Sequence, residues 1–180
     1  MALWGNTDAD EAKPKWLTTD EKDTTFATNK GWVRLNGKGQ EEVLCAIGGL
    51  STSVAGADIT RIAFVTKTFS KAAGGNIEVR VTYNEKVDVV GTPVLVVTNN
   101  QTGGGSATLN TVYNSGTGTN RLVFRIALSG GAAATGAGNT LSVAAQNITK
   151  AGGEHIRDAG TVINSSVAVP SNSASMSIIT

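Results

Sequence analysis

Between Asn76 and Asn84 the chain alternates without a break: Ile77, Val79, Val81 and Tyr83 are apolar, while Glu78, Arg80 and Thr82 are polar. Successive side chains of an extended backbone point to opposite faces, so this run specifies a strand with one buried and one wet face. A helix would scatter the same four residues around its axis. Arg121 to Leu128 repeats the pattern, with Leu122, Phe124, Ile126 and Leu128 inward and Arg121 and Arg125 outward. Thr92–Thr98 is apolar on both faces through Val94, Leu95, Val96 and Val97, as in a covered central strand. Thr60–Lys67, Ser106–Tyr113, Asn139–Ala145 and Thr161–Val169 bring the count to about seven strands. Turn-forming residues separate them, including Ala73-Gly74-Gly75-Asn76, the stretch from Asn99 to Gly105 and Gly152-Gly153. Seven short strands so spaced predict an all-β fold, a β-sandwich over residues 57–169.

The flanks differ from this body. Residues 1–30 are charged and lack sustained periodicity, and Pro14 forbids a continuous helix there. Asp8-Ala9-Asp10-Glu11 and Thr18-Thr19-Asp20-Glu21 look like caps of short turns. Trp4, Trp16 and Phe26 stud this stretch, which predicts an extended arm whose rings dock on a neighbour. Residues 31–56 predict a connecting β-hairpin, with strands Gly31–Leu35 and Val43–Ile47 joined at Asn36-Gly37. Trp32 completes the set of candidate anchors: Trp4, Trp16, Phe26 and Trp32. Residues 170–180 read as a short C-terminal tail, Ser/Asn-rich but ending in Met176, Ile178 and Ile179, suited to strand addition in an assembly.

Charge narrows the partners. The net charge is +1, with residues 1–42 carrying 8 acids and 6 bases and the remainder 6 acids and 9 bases. Neither half makes the basic footprint that nucleic acid or an anionic membrane requires. No stretch approaches the ~20 apolar residues of a membrane helix. Met1 to Asn6 has neither the basic nor the apolar region of a secretory signal, which predicts assembly in the cytoplasm. Cys45 is the single cysteine and lies in an apolar run, where a small buried hydrophobe is expected.

One stretch has a known look. Val79-Arg80-Val81-Thr82-Tyr83-Asn84-Glu85-Lys86-Val87, followed by Gly91-Thr92-Pro93-Val94-Leu95, resembles the opening of bacterial immunoglobulin-like repeats. Gly152-Gly153-Glu154-His155-Ile156-Arg157-Asp158-Ala159-Gly160 is similar to their closing turn. The resemblance implies an immunoglobulin-like β-sandwich for residues 57–169. The usual second alanine of the closing turn is missing, and Leu109 to Asn114 looks a few residues long. Ala2-Leu3-Trp4-Gly5-Asn6, with Lys13-Pro14-Lys15-Trp16-Leu17, resembles the start of small virion structural proteins of tailed marine phages. That second resemblance implies a place in a virion.

No catalytic constellation accompanies these patterns, and no enzyme, cofactor or metal site is expected. His155 is the only histidine, and as part of the family-like turn it is expected to fill a variable position, with Asp158 bonding turn amides. Glu85 and Asp88 flank a turn and are expected to serve it. Asp8, Asp10 and Glu11 lack the spacing of a calcium loop, and the Gly103–Gly105 run does not continue into a phosphate loop. The expected function is therefore that of a phage virion structural protein, a capsid decoration or cement protein held by its N-terminal arm. Its partners would be other virion proteins, the major capsid protein first, with self-association in the assembly. A tail, neck or baseplate protein is the alternative, followed by an adhesion or carbohydrate-binding module taking a host-surface glycan. Removing residues 1–30 is expected to leave the sandwich folded.

Overall fold

The computed structural model describes residues 13–28, 30–46, 56–170 and 174–179, and they form an all-β protein. The N-terminal unit comprises one short helix, α1 (Thr19–Thr24), and three strands, β1 (Thr25–Thr28), β2 (Gly31–Leu35) and β3 (Glu41–Ala46). Body strands follow as β4 (Ile59–Phe64), β5 (Phe69–Ser70), β6 (Gly74–Val90), β7 (Val94–Asn99), β8 (Thr108–Ser115), β9 (Thr119–Ser129) and β10 (Thr140–Ser142). β11 (Gln146–Asn147), β12 (His155–Asp158), β13 (Ala168–Val169) and β14 (Ser175–Ile179) complete it.

In the N-terminal unit, Thr18 caps α1. Its hydroxyl accepts from the Glu21 amide at 3.3 Å, while the Glu21 carboxylate accepts from the Thr18 amide at 2.9 Å. This is the reciprocal arrangement that the Thr-x-x-Glu spacing predicts. β1, β2 and β3 then form an antiparallel three-stranded sheet with β2 central. The Asn36-Gly37 turn is where the sequence places it, with Asn36 Oδ1 accepting from the amides of Lys38 and Gln40, both at 2.9 Å. β3 begins two residues earlier than predicted, and Ile47 lies outside the described residues. The larger difference is upstream. The stretch expected to be an extended arm through Lys30 contains α1 and β1, and β1 lies on β2 with Phe26 opposite Val33.

The main sheet of the body has nine strands, running β12-β6-β9-β8-β7-β10-β14-β5 with β4 on the edge of β6, and β11 and β13 pair separately. Its alternation is realised as written: Ile77, Val79, Val81 and Tyr83 are all buried, as are Leu122 and Phe124 opposite them. Ile126 and Leu128 are only half-buried. β7 is interior, between β8 and β10. Where β10 ends, the Gln146 side chain stands in as a strand partner, accepting from the Val96 amide at 3.0 Å and donating to its carbonyl at 2.7 Å. That pairing uses backbone groups the short β10 leaves open.

Two expectations at the C-terminal end are corrected. Thr161–Val169 is not one strand: Asn164 bridges Arg157 of β12, Ser165 donates its amide to Ile156, and only Ala168–Val169 forms a strand, paired with β11. Ser166 donates its amide to Ala57 and its carbonyl accepts from the Tyr83 hydroxyl at 3.0 Å, so partners distant in sequence interrupt the ladder there. The closing-turn segment itself supplies β12, paired with the end of β6. The tail supplies β14, antiparallel to β10 and parallel to β5.

Candidate interaction surface

The two sheets meet across a polar seam. Phe26, Ala27, Trp32 and Val33 are buried, yet none belongs to the continuous apolar core of the body. No backbone pairing joins the two sheets among the described residues. Asp23 holds them together instead. Its Oδ2 lies 2.8 Å from Arg61 Nη1 and accepts a hydrogen bond from Arg80 Nη2 at 2.7 Å. Asn120 Nδ2 is shared among the carbonyls of Asp23, Thr25 and Tyr83, at 3.2, 3.4 and 3.3 Å. Lys86 reaches back from β6 to donate to Glu41 at 2.9 Å, with its ammonium 4.7 Å from the Phe26 ring centroid. The Lys86 hydrogen bond first, and then its charge, holds the Glu41 carboxyl below the ordinary carboxylate range. Beside this seam a cavity of about 270 Å³ opens between Phe26, Leu35, Lys86 and Arg121.

The four candidate anchors fare differently. Trp4 lies outside the described residues. Phe26 and Trp32 are 1% and 3% exposed, so both rings are spent inside the chain rather than offered to a neighbour. Trp16 is 71% exposed, beside the buried Leu17. Sequence reasoning missed Asp23, Arg61, Asn120 and the buried Lys13, whose ammonium donates to the Lys22 carbonyl at 2.8 Å. A signal existed for one of them. Asp23 sits in the last turn of a helix, where the macrodipole disfavours an acid, so its use had to lie in tertiary structure. Arg80, expected on a wet face, faces Asp23 together with Arg61.

The acidic residues of the closing turn do structural work. Glu154 accepts from the amides of Thr92 and Ala151, both at 2.8 Å, and these bonds keep its carboxyl below the ordinary range. Asp88 accepts from the Gly160 amide at 3.0 Å. Asp58, Glu85 and Asp158 gather where β4 begins and β12 ends along the edge of β6. Burial first, then the charge of Asp158, its hydrogen bond and the charge of Asp58, raises Glu85 from about 4.5 to about 7. A carboxyl raised on folding contributes stability that is fully present below its unfolded value and is lost as pH rises through its folded one. Stability should therefore fall by about 2 kcal/mol between pH 4.5 and pH 8, the full displacement being reduced for partial exposure. Urea denaturation across this window measures it, and Glu85→Gln should flatten the profile. An unchanged slope in that variant would assign the effect elsewhere.

The aromatic rings of the body are used internally. Phe69, Tyr83 and Phe124 are buried, and Tyr113 packs edge-on to Phe124 at 6.1 Å while its hydroxyl accepts from the Thr117 amide at 2.8 Å. No group of His, Cys, Asp and Glu is arranged to hold a metal ion among the described residues. Compared with known protein families, curated proteins and solved structures, the chain matches none.

Proposed function

We propose that this chain is a structural protein of a phage virion, a capsid decoration or cement protein with an immunoglobulin-like body. The strand order supports the immunoglobulin-like part. Taking β4, β6, β7, β8, β9, β10 and β14 as strands A to G, the neighbours A–B, B–E and E–D on one side and C–F and F–G on the other are all present. β7 and β8 also pair across the C–D edge, which joins the two halves in one hydrogen-bonded path.

One observation carries the functional part: Trp16 presents most of its ring to solvent immediately before a helix pinned to the body by Asp23. A large rigid ring held outward on an anchored base is the form of an interface anchor. In virions purified from an infection that produces this protein, wild-type chain should co-purify in on the order of hundreds of copies per particle if it follows the capsid lattice. About six or twelve copies would place it on the tail axis instead, and none would end the virion reading. Trp16→Ala should leave the denaturation midpoint within about 0.5 kcal/mol of wild type. Its occupancy on particles should drop at least about tenfold, since anchor truncations commonly cost 1–2 kcal/mol or more.

A further inference from the structure

The geometry points to an acceptor site for an acidic side chain: the cavity between Phe26, Leu35, Lys86 and Arg121 takes the carboxylate of an Asp or Glu presented by a partner protein. The inference stands on this chain's own residues, and it rests on the assembly reading only for the source of the acid. At about 270 Å³ the cavity lies below the ~300–1,000 Å³ usual for drug-sized ligands and suits one side chain.

Charge selects the ligand. Among the described residues no acid lines the cavity, whereas two cations do, Lys86 from β6 and Arg121 from β9. The two are not equivalent. Lys86 is offset by Glu41 at 2.9 Å. Arg34, Arg61 and Arg80, around the same seam, each face a carboxylate, but the Arg121 side chain has no hydrogen bond or ion pair among the described residues. It is half-buried, so its five N–H donors and its charge are partly withdrawn from water without a partner. A planar guanidinium matches a carboxylate through two parallel hydrogen bonds, and one carboxylate balances the one uncompensated charge. The cleft on the other side of Leu35 has the opposite sign, with Asp20, Glu21 and Glu42 against Arg34 alone, so an acid is repelled there.

The rest of the wall decides against a sugar acid. The Thr24 and Thr119 hydroxyls donate to the carbonyls of Glu21 and Gly116 at 2.8 and 2.7 Å, and Asn120 Nδ2 is shared among three carbonyls. Asn36 Oδ1 is committed to its own turn. Sugar hydroxyls entering here would give up water for few free partners. Leu35, 38% exposed, instead offers the apolar surface along which the methylene stem of an acidic side chain lies.

The test is an NMR titration of the ¹⁵N-labelled full-length chain with the blocked peptide acetyl-Gly-Glu-Gly-amide, against acetyl-Gly-Gln-Gly-amide as control. Saturable shifts of the Leu35 and Arg121 amides are expected with the glutamate peptide and not with the glutamine one. Arg121→Gln should weaken that binding at least about tenfold. Because Arg121 has no partner within the chain, the variant should keep the wild-type denaturation midpoint. Equal shifts from the two peptides, or from sodium chloride at the same ionic strength, would overturn the proposal, as would unchanged binding by the variant. Tighter binding of glucuronate than of the glutamate peptide would also overturn it, giving the cavity to a sugar acid. If the peptide does not bind yet Trp16→Ala still strips the protein from particles, the acid site fails and the assembly reading stands.

Discussion

Deleting residues 175–180 is expected to abolish folding, although by sequence they look like a dispensable tail. β14 lies between β10 and β5, so its removal strips a hydrogen-bonding partner from both. Ile178 donates its amide to Asn139 at 2.8 Å and accepts from Gly138 at 3.1 Å, and Ile179 accepts from the Lys71 amide at 3.0 Å. Met176 and Ile178 are buried in the body core, and among the described residues the backbone of β5 at Phe69 pairs with this strand alone. Burial of the two side chains contributes roughly 1.5–3 kcal/mol each. Unpaired backbone groups along β10 and β5, and the exposure of Phe69, add to that loss. Together they reach the 5–15 kcal/mol that a domain typically has to lose. Far-UV circular dichroism of the truncated chain should show no cooperative unfolding transition. A truncated chain melting with the wild-type midpoint would mean that the body core closes without β14.

Asp23→Ala should destabilise the protein by about 2–3 kcal/mol, the second-largest effect expected. Its carboxylate is nearly inaccessible and faces two guanidinium groups, so removing it leaves both without their counter-charge. Breaking a fully buried pair costs 3–5 kcal/mol. The arginine side chains are 32% and 26% exposed, so water recovers part of that loss. Urea denaturation should report the loss, and proteolysis between residues 46 and 56 should become faster as the unit leaves the body. Full wild-type stability in this variant would show that Asn120 and Lys86 hold the seam unaided. The same seam explains why deletion of residues 1–30 is not a clean test of an arm: it removes α1, β1, Asp23 and Phe26, leaving Arg61 and Arg80 unpaired. Trp16→Ala isolates the exposed ring without that damage.

Period-two patterning led to the right strands through most of the body, because alternation reports a local property of extended backbone. Ile77 to Tyr83 and Leu122 to Phe124 needed only period two and an apolar face to be assigned, and they are buried as that pattern requires. The Thr18–Glu21 cap and the Asn36 turn were legible for the same reason, each being complete within five residues. Failures began where the decisive partner is distant in sequence. Met176 and Ile178 alternate with serines, a visible strand signal, but nothing local says that β10 and β5 wait for them. Thr161–Val169 has strand-forming residues, yet the Tyr83 hydroxyl and the Ala57 carbonyl draw Ser166 out of a ladder. Phe26 and Trp32 were read as anchors for a neighbour because the sequence shows large rings without showing that the fold buries them.

From sequence alone, the all-β class, the buried face of each long strand and the turns between them follow from steric alternation and glycine and asparagine chemistry, which act over a few residues. Tertiary structure alone decided that residues 175–179 of the tail are a strand of the body, that residues 13–28 of the supposed arm belong to a folded unit, and that Trp16 is the exposed ring among the described candidates. It also decided that Asp23, an acid misplaced at the end of its own helix, joins the two parts. Those outcomes depend on pairing groups tens of residues apart, where the choice among partners is made by burial and charge in three dimensions rather than by any local preference of the chain.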